Sequence, residues 1–376
     1  MATTTLYGRT IDLKALSLSH PGGTVALSLA AGRDCTELYE QYHPHAAARN
    51  DFHGDLLRAA KDLGCVKATY LHATLCSVLA IAALESWRQW CLGNAWSLLF
   101  LPLIHWLLLA NVAHEAAHFA FSTSPALNEL LALTSAPLFY NTGFWYLQHN
   151  VSHHVKTNHP DSDVDLNHFY PIARLHAQSV NPKVLPALKV FTIFMAFFFS
   201  TLVQTFVHPF QAKIHSQYMG DARAVLDRTR WSSWLQLSVS VAVLVVPWFL
   251  WEEPSKAALF GFAPFFLSSL LFMAVTQVSH IQASTQVTAS APPHWAVHQV
   301  ESSMDYSQGS HAVTFFTGGL NSQGLHHCVP FMSSSHFVRF YPKYRALCKK
   351  HGVKIREVSA YIDALRCYVE HVVSLT

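Results

Sequence analysis

Five apolar runs restrict this chain more than any motif within it. Residues 68–84 (17 residues), 94–113 (20), 190–207 (18), 231–251 (21) and 257–278 (22) contain no Asp, Glu, Lys or Arg. About 20 apolar helical residues span the hydrocarbon core of a bilayer, so each run is a candidate span, the first and third only just long enough. Composition points the same way: 51% of the 376 residues are hydrophobic and 12% charged, a balance suited to a membrane-embedded protein. A net charge of +3 is too slight to argue for nucleic acid as a partner. The seven cysteines include no C-x-x-C pair, so neither a disulfide framework nor a thiolate zinc site is suggested. The N-terminus lacks the apolar centre of a cleaved signal peptide, which leaves insertion to the internal runs.

Short turns at 85–93 and 252–256 join the first two runs and the last two, so each pair reads as a membrane hairpin. If both hairpins enter from one side, both termini and the histidine clusters described next share that side. Residues 190–207 must then lie in the interface or dip and return, because one more crossing would separate the clusters. The two turns hold only Arg88 and Lys256, whereas Lys343, Arg345, Lys349 and Lys350 lie on the side this assigns to the cytoplasm. A softer stretch, 127–146, contains Pro137 and Gly143 and reads as irregular or interfacial. Trp87, Trp90, Trp231, Trp248 and Trp251 stand near span ends, as an aromatic belt does. The expected fold is an all-α integral membrane protein with four transmembrane helices in two hairpins and a cytoplasmic helical cap.

Of the 25 histidines, three clusters fall just outside the apolar runs. His114 and His118 are four apart and share one helix face; His149 and His153 repeat that spacing, and His154 is turned about a quarter of the way round, able to reach a second ion. His326 and His327 form a tandem pair with Gln323 three residues earlier, and His280 closes the last run. His72, His105 and His208 read as polar anchors at span ends. His114-Glu115-Ala116-Ala117-His118 alone also matches the H-E-x-x-H zinc protease pattern, but that reading leaves the other histidines without a role. Eight histidines and a glutamine exceed the needs of one ion and imply two. Imidazole suits zinc, copper, iron and nickel alike; with nitrogen ligands throughout, dimetal oxygen chemistry fits best.

Two resemblances follow. Ser19-His20-Pro21-Gly22-Gly23, with Tyr42-His43 downstream, resembles the haem-holding middle of a cytochrome b5 domain, and that likeness implies His20 and His43 as axial haem ligands. The opening strand-helix portion and the closing helices of that family are missing here. The other reading is a remnant, residues 1–52, packed on a main domain of residues 53–376.

The spacings H-x3-H, H-x3-H-H and Q-x2-H-H resemble the membrane-bound fatty acid desaturases. Phe316-Thr317-Gly318-Gly319-Leu320 and the residues through Tyr341-Pro342-Lys343 are similar to the front-end subgroup, which places a double bond between an existing one and the carboxyl end. The likeness covers roughly 51–353. It implies His114, His118, His149, His153, His154, His326 and His327 as ligands of two iron ions, with His280 a further one and Gln323 the subgroup's essential glutamine. It also implies dioxygen as co-substrate, a fatty acyl lipid or acyl-CoA substrate, and a cytochrome b5 or ferredoxin-type donor with its reductase. Asp161, Asp163, Asp165 and Glu115 are then candidates to fix imidazole tautomers. One departure is plain: Gly324-Leu325 replace the usual Ile-Glu before the last histidine pair. That leaves a hydroxylase or ketolase of the same superfamily open, and a haem electron-transfer protein is a further alternative. The implied location is the endoplasmic reticulum, with a plastid membrane as the alternative.

Overall fold

In the computed structural model, which describes residues 3–17, 19–43, 51–64, 66–167, 169, 171–208, 222–286 and 294–376, each apolar run lies in a helix. The chain opens on an antiparallel hairpin, β1 (Thr3–Leu6) and β2 (Arg9–Asp12), paired Thr3↔Asp12 to Leu6↔Arg9. Tyr7 and Gly8 both have positive φ (49° and 75°), the turn that matches strand twist in a two-residue hairpin. The opening strand expected to be missing is therefore present in part, made by Thr3, Thr4 and Thr5. Helices α1 (Gly23–Ala30) and α2 (Thr36–Tyr42) follow, then α3 (Phe52–Asp62), whose N-cap Asp51 accepts from Gly54 N–H at 2.8 Å.

Two hairpins of apolar helices form the body: α4 (Tyr70–Cys91) with α5 (Ser97–Ala117), and, after α6 (Pro125–Ala132), α7 (Thr142–Trp145), α8 (Pro186–Phe206) and α9 (Ala222–Arg228), α10 (Arg230–Leu250) with α11 (Pro254–Ser279). These two pairs and α8 are five helices long and apolar enough to cross a membrane. Their outer faces carry Leu71, Ile81, Leu84 and Phe249 at 68–83% exposure. Fully removing such a side chain from water gains about 1.5–3 kcal/mol, so a girdle of this kind calls for lipid, and the chain is a membrane protein. Inside it, Trp106, Phe139, Phe144, Trp145, Phe265 and Phe272 form the main buried cluster.

The third run forms one continuous helix. α8 is unbroken and stands against α11: Thr201 N–H donates to Ser269 Oγ at 3.0 Å, and Thr201 Oγ1 donates to Phe265 O at 3.1 Å. A helix apolar on most faces gains more by packing along another than by lying flat, and the Thr–Ser pair satisfies its polar groups. At its C-terminal end Thr205 Oγ1 donates to Phe139 O at 2.6 Å and the Phe206 ring meets Phe265, midway along α11. His105 lies inside α5 rather than at a span end, whereas His72 stands in the first turn of α4. Trp87 Nε1 donates to His105 Nε2 at 2.8 Å, and His72 Nε2 donates to Asn111 O at 3.3 Å, both between α4 and α5. His208 packs against Phe144.

The remaining elements cover the histidine-bearing ends of α5 and α11: α12 (Trp295–Glu301), β3 (Met304–Tyr306), α13 (His311–Thr317), α14 (Gln323–Cys328), α15 (Phe337–His351), β4 (Arg356–Val358) and α16 (Tyr361–Leu375). β3 and β4 pair in parallel, Met304↔Arg356 to Tyr306↔Val358, so the fold is helical with two small sheets rather than all-α. Phe52, Leu56 and Leu57 of α3 join Leu325, Phe340 and Tyr344 in a second core beneath α14.

Within that core His53 Nε2 donates to Cys328 O at 3.2 Å. Burial pushes His53 down to about 4, so the folded state keeps it neutral while the unfolded chain takes up a proton below about 6.5. Its stabilisation is thus complete above pH ~6.5 and declines as pH falls toward 4, by up to about 3 kcal/mol. His53→Gln is expected to reduce the acid slope of thermal stability between pH 6.5 and 4.5; a slope identical to wild type would refute this.

Candidate metal centre

Local backbone geometry brings the three clusters together. In α5 the chain passes from α-helix to a π-helical turn, Leu109–Ala113, directly before His114. The second cluster lies in another π-helical stretch, Tyr146–His153. A π turn closes over five residues instead of four, so positions four and five apart both return to the same side. His154 consequently stays beside His149, Nε2 to Nε2 3.1 Å, while His153 reaches His280 at 3.3 Å. His154 also groups with His326 and His327, and His149 with His153 and Asp165, so the second cluster borders more than one group.

The third cluster reaches the first through two glycines. Gly318 and Gly319 are left-handed (φ 62° and 85°), and a Cβ on Gly318 would stand 2.2 Å from Ala110 O in the π turn of α5. Only glycine permits that approach. Beyond it, α14 turns His326 toward His114, His118 and His149, and His327 toward His153 and His280. The ligand atoms within each of these groups, His114/His118/His149/His326 and His153/His280/His327, lie within 4.8 Å of one another.

Hydrogen-bond accounting shows why a cation fits. His153 Nδ1 donates to Asp163 Oδ2 at 3.0 Å, His280 Nδ1 to Ser302 O at 3.1 Å, and His327 Nδ1 to Gln299 Oε1 at 2.8 Å. A neutral imidazole has one N–H, so the Nε2 atoms of all three present lone pairs inward. Nε2 of His153 and of His280 stand 3.3 Å apart, a gap bridged by a second proton on His153 or by a cation between them. Nitrogen ligands about 2.0–2.1 Å from a shared ion stand roughly 3 Å apart, the spacing seen here. The Gln323 amide donates from Nε2 to His280 Nε2 at 2.8 Å and to His327 Nε2 at 3.0 Å, standing where a cation would. A half-turn of that amide would aim Oε1, which has no partner among the described residues, at the same point. In the first group, Nε2 of His118 and of His326 likewise have no hydrogen-bond partner among the described residues.

Burial, reinforced by repulsion between neighbouring imidazoles, holds His118, His149, His154, His326 and His327 well below the usual imidazole range. His153 is the exception: burial lowers it, but Asp163 and Asp165 outweigh burial and lift it to about 9. Asp163 is fully buried and also accepts from Asn158 and Asp165 N–H at 2.8 and 2.9 Å. Asp161 is exposed, and Glu115 turns away from the ligands, accepting from Ser334 N–H at 3.0 Å beside His72. Of the four expected tautomer-fixing carboxylates, Asp163 and Asp165 reach an imidazole of the clusters.

Sequence reasoning missed Gln299, Ser302, Tyr42 and Asn158. Asn158 is left-handed (φ 58°) and its amide donates to His280 O, Thr285 O and Ser302 O at 2.9–3.2 Å, clamping the second cluster to the end of α11. An asparagine beside the acidic run was its one signal. The Gly324-Leu325 departure costs no ligand. A Cβ at 324 would lie 2.6 Å from Tyr344 Oη, and Leu325 is fully buried in the core beneath, where a carboxylate would lack a partner.

His20 and His43 do come together, ring centroids 5.8 Å apart. His43 Nδ1 donates to Tyr39 O at 2.9 Å, but His20 Nδ1 accepts from Gly22 N–H at 3.1 Å. That bond puts the His20 proton on Nε2, the atom an axial ligand must offer. As placed, the pair does not fit bis-histidine haem.

The fatty acid desaturase family model matches residues 88–359. The chain is 32% identical to an acyl-lipid omega-13 desaturase of Chlamydomonas reinhardtii, covering 94% of this chain and 89% of that one. It is 25% identical to an acyl-lipid (8-3)-desaturase of Mortierella alpina (97% and 92% covered) and 25% identical to Delta(8)-fatty-acid desaturase 2 of Arabidopsis thaliana (94% and 85%).

Asp163→Asn keeps the shape but removes the charge facing His153, and is expected to weaken one of two bound ions about 10–100-fold. Ferrous iron titration of purified protein checks this; unchanged affinity for both ions would remove Asp163 from the centre. The same preparation is expected to show no Soret absorbance, and a Soret band lost in His20→Ala would restore the haem reading.

Proposed function

The chain belongs to the fatty acid desaturase family, and from that premise we propose that it introduces a double bond into a fatty acyl chain at a di-iron centre, in the front-end manner. The observation that carries this reading is the meeting of the imidazole clusters with an apolar pocket. Trp106, Leu109, Phe272, Ile281 and Leu320 line it together with His114, His149, His153, His280 and Gln323. A polymethylene chain seated there brings one C–H to the ligand cluster without carrying in water.

Two iron ions, held by His114, His118, His149, His153, His154, His280, His326 and His327 with Gln323 alongside, supply dioxygen-dependent oxidising power when bound. The balance is two hydrogens from adjacent methylenes, two electrons and two protons from a donor, and dioxygen reduced to two waters. The protein residues set the geometry. Asp163, Ser302 and Gln299 hold Nδ1 protons so that Nε2 lone pairs point inward. Trp145 stacks on His149 at 4.3 Å between ring centroids and fixes its plane. The acyl group rides on a glycerolipid or on coenzyme A, and electrons come from a separate cytochrome b5 or ferredoxin-type protein and its reductase.

Residues 1–52 then form a cytochrome b5-like remnant on a desaturase domain of residues 53–376. Four spans place both termini in the cytoplasm of an endoplasmic reticulum or plastid membrane. Supporting this, α8 ends midway along α11, and α9 lies beside α1, where Arg228 Nε donates to Thr24 Oγ1 at 2.6 Å. If α8 does not cross, the clusters stay on one face.

Lipid profiling of yeast expressing the chain, fed polyunsaturated acids, is expected to reveal a new double bond on the carboxyl side of an existing one. His153→Ala and His326→Ala are each expected to abolish it. A hydroxylated product without a new double bond would instead identify a hydroxylase. A glycosylation acceptor inserted at 252–256 is expected to be modified, and one at the C-terminus is not.

A further inference from the structure

The N-terminal segment reaches the metal centre through one side chain. Tyr42, the last residue of α2, is half-buried with its hydroxyl 3.0 Å from His118 Nδ1. Asn150 Nδ2 donates to the same hydroxyl oxygen at 3.4 Å and to Ala117 O at 2.9 Å, tying the second cluster to the end of α5. The helix is anchored on either side. Gln41 Nε2 donates to His154 O at 3.4 Å, and Lys156 pairs with Glu37 at 2.7 Å. The Tyr42 ring meets Phe119 edge-on at 6.0 Å, which sets its approach.

From these contacts we propose that Tyr42 is a positioning residue of the metal centre. Its hydroxyl oxygen accepts the His118 Nδ1 proton and so commits His118 Nε2 to a metal ion. The inference rests on the dimetal reading and adds a role for residues 1–52 that needs no haem: the segment supplies part of the centre's outer shell. The chemistry is the one Asp163, Ser302 and Gln299 perform for the second group, here delivered from 76 residues upstream. His118 Nε2 has no other partner among the described residues, so nothing else there selects its tautomer.

The test is metal titration of the full-length purified protein with ferrous iron, and with cobalt(II) as a spectroscopic probe. Wild type is expected to bind two ions. Tyr42→Phe, which keeps the ring against Phe119, is expected to weaken one of them about 10–100-fold and to shift the visible cobalt bands, leaving the other unchanged. Glu37→Gln loosens the docking of α2 without touching a ligand and is expected to leave both affinities and the spectrum as in wild type. If Tyr42→Phe matches wild type in both readouts, or Glu37→Gln weakens metal equally, the proposal is overturned. If wild type itself binds no ion, the dimetal reading falls instead. Should Tyr42→Phe not fold, Tyr42→Gln, whose amide oxygen can accept from His118, is expected to retain two ions where Tyr42→Leu retains one; equal behaviour of that pair would overturn the proposal.

Discussion

Eight imidazoles and an amide converge in a buried site, six of the rings with an inward nitrogen about 3 Å from another ring or the amide, and the rest of the molecule answers to that constraint. Neutral imidazoles so close cannot satisfy one another, because each has a single proton to give. The surrounding residues take those protons outward: Asp163 from His153, Ser302 from His280, Gln299 from His327 and Tyr42 from His118. What is left inside is a set of lone pairs that meet one another, the Gln323 amide or a cation. Burial strengthens the preference for a cation, since protonating any member but the carboxylate-paired His153 would place an unbalanced charge in a low-dielectric interior beside its neighbours.

Backbone departures from ideal geometry make the convergence possible. The π turns before His114 and across His149–His153 rotate side chains onto one side that an α-helix would distribute. Gly318 lets the chain ahead of α14 touch the backbone of α5, and the left-handed Asn158 binds three carbonyls from two other segments. Each feature is a local cost, and all of them adjoin the ligands. The apolar helices around them supply the rigid frame that holds such a backbone in place.

The two groups of ligands draw on different parts of the chain. The first takes α5, the second cluster, α14 and, through Tyr42, the N-terminal segment. The second takes the end of α11 and the cover built on α12 and β3. His326 and His327 are adjacent in sequence yet fall in different groups, and His154 stands with both of them while His153 joins His280 and His327. A change in the pitch of either pair would therefore disturb both groups together. The acyl pocket borders the same residues, so the apolar packing of Phe272 and Leu320 bears on where a substrate chain can lie.

The amino-acid sequence by itself determined the membrane class, the two apolar hairpins, the three clusters and the family, because charge-free runs of about 20 residues and short-range spacings are local properties. It also marked Asp163 and Asp165, which lie only ten or so residues from the histidine they serve. Tertiary structure alone decided how the histidines group, since helical pitch is invisible in spacing and the π turn brings His154 beside His149. It decided that Glu115 faces His72, that α8 stands against α11, and that Gly324-Leu325 is a packing solution beneath Tyr344. It decided, too, that Tyr42 closes on His118. Contacts between residues 76 positions apart carry no signal in composition or periodicity, and only the packed chain brings them within hydrogen-bond reach.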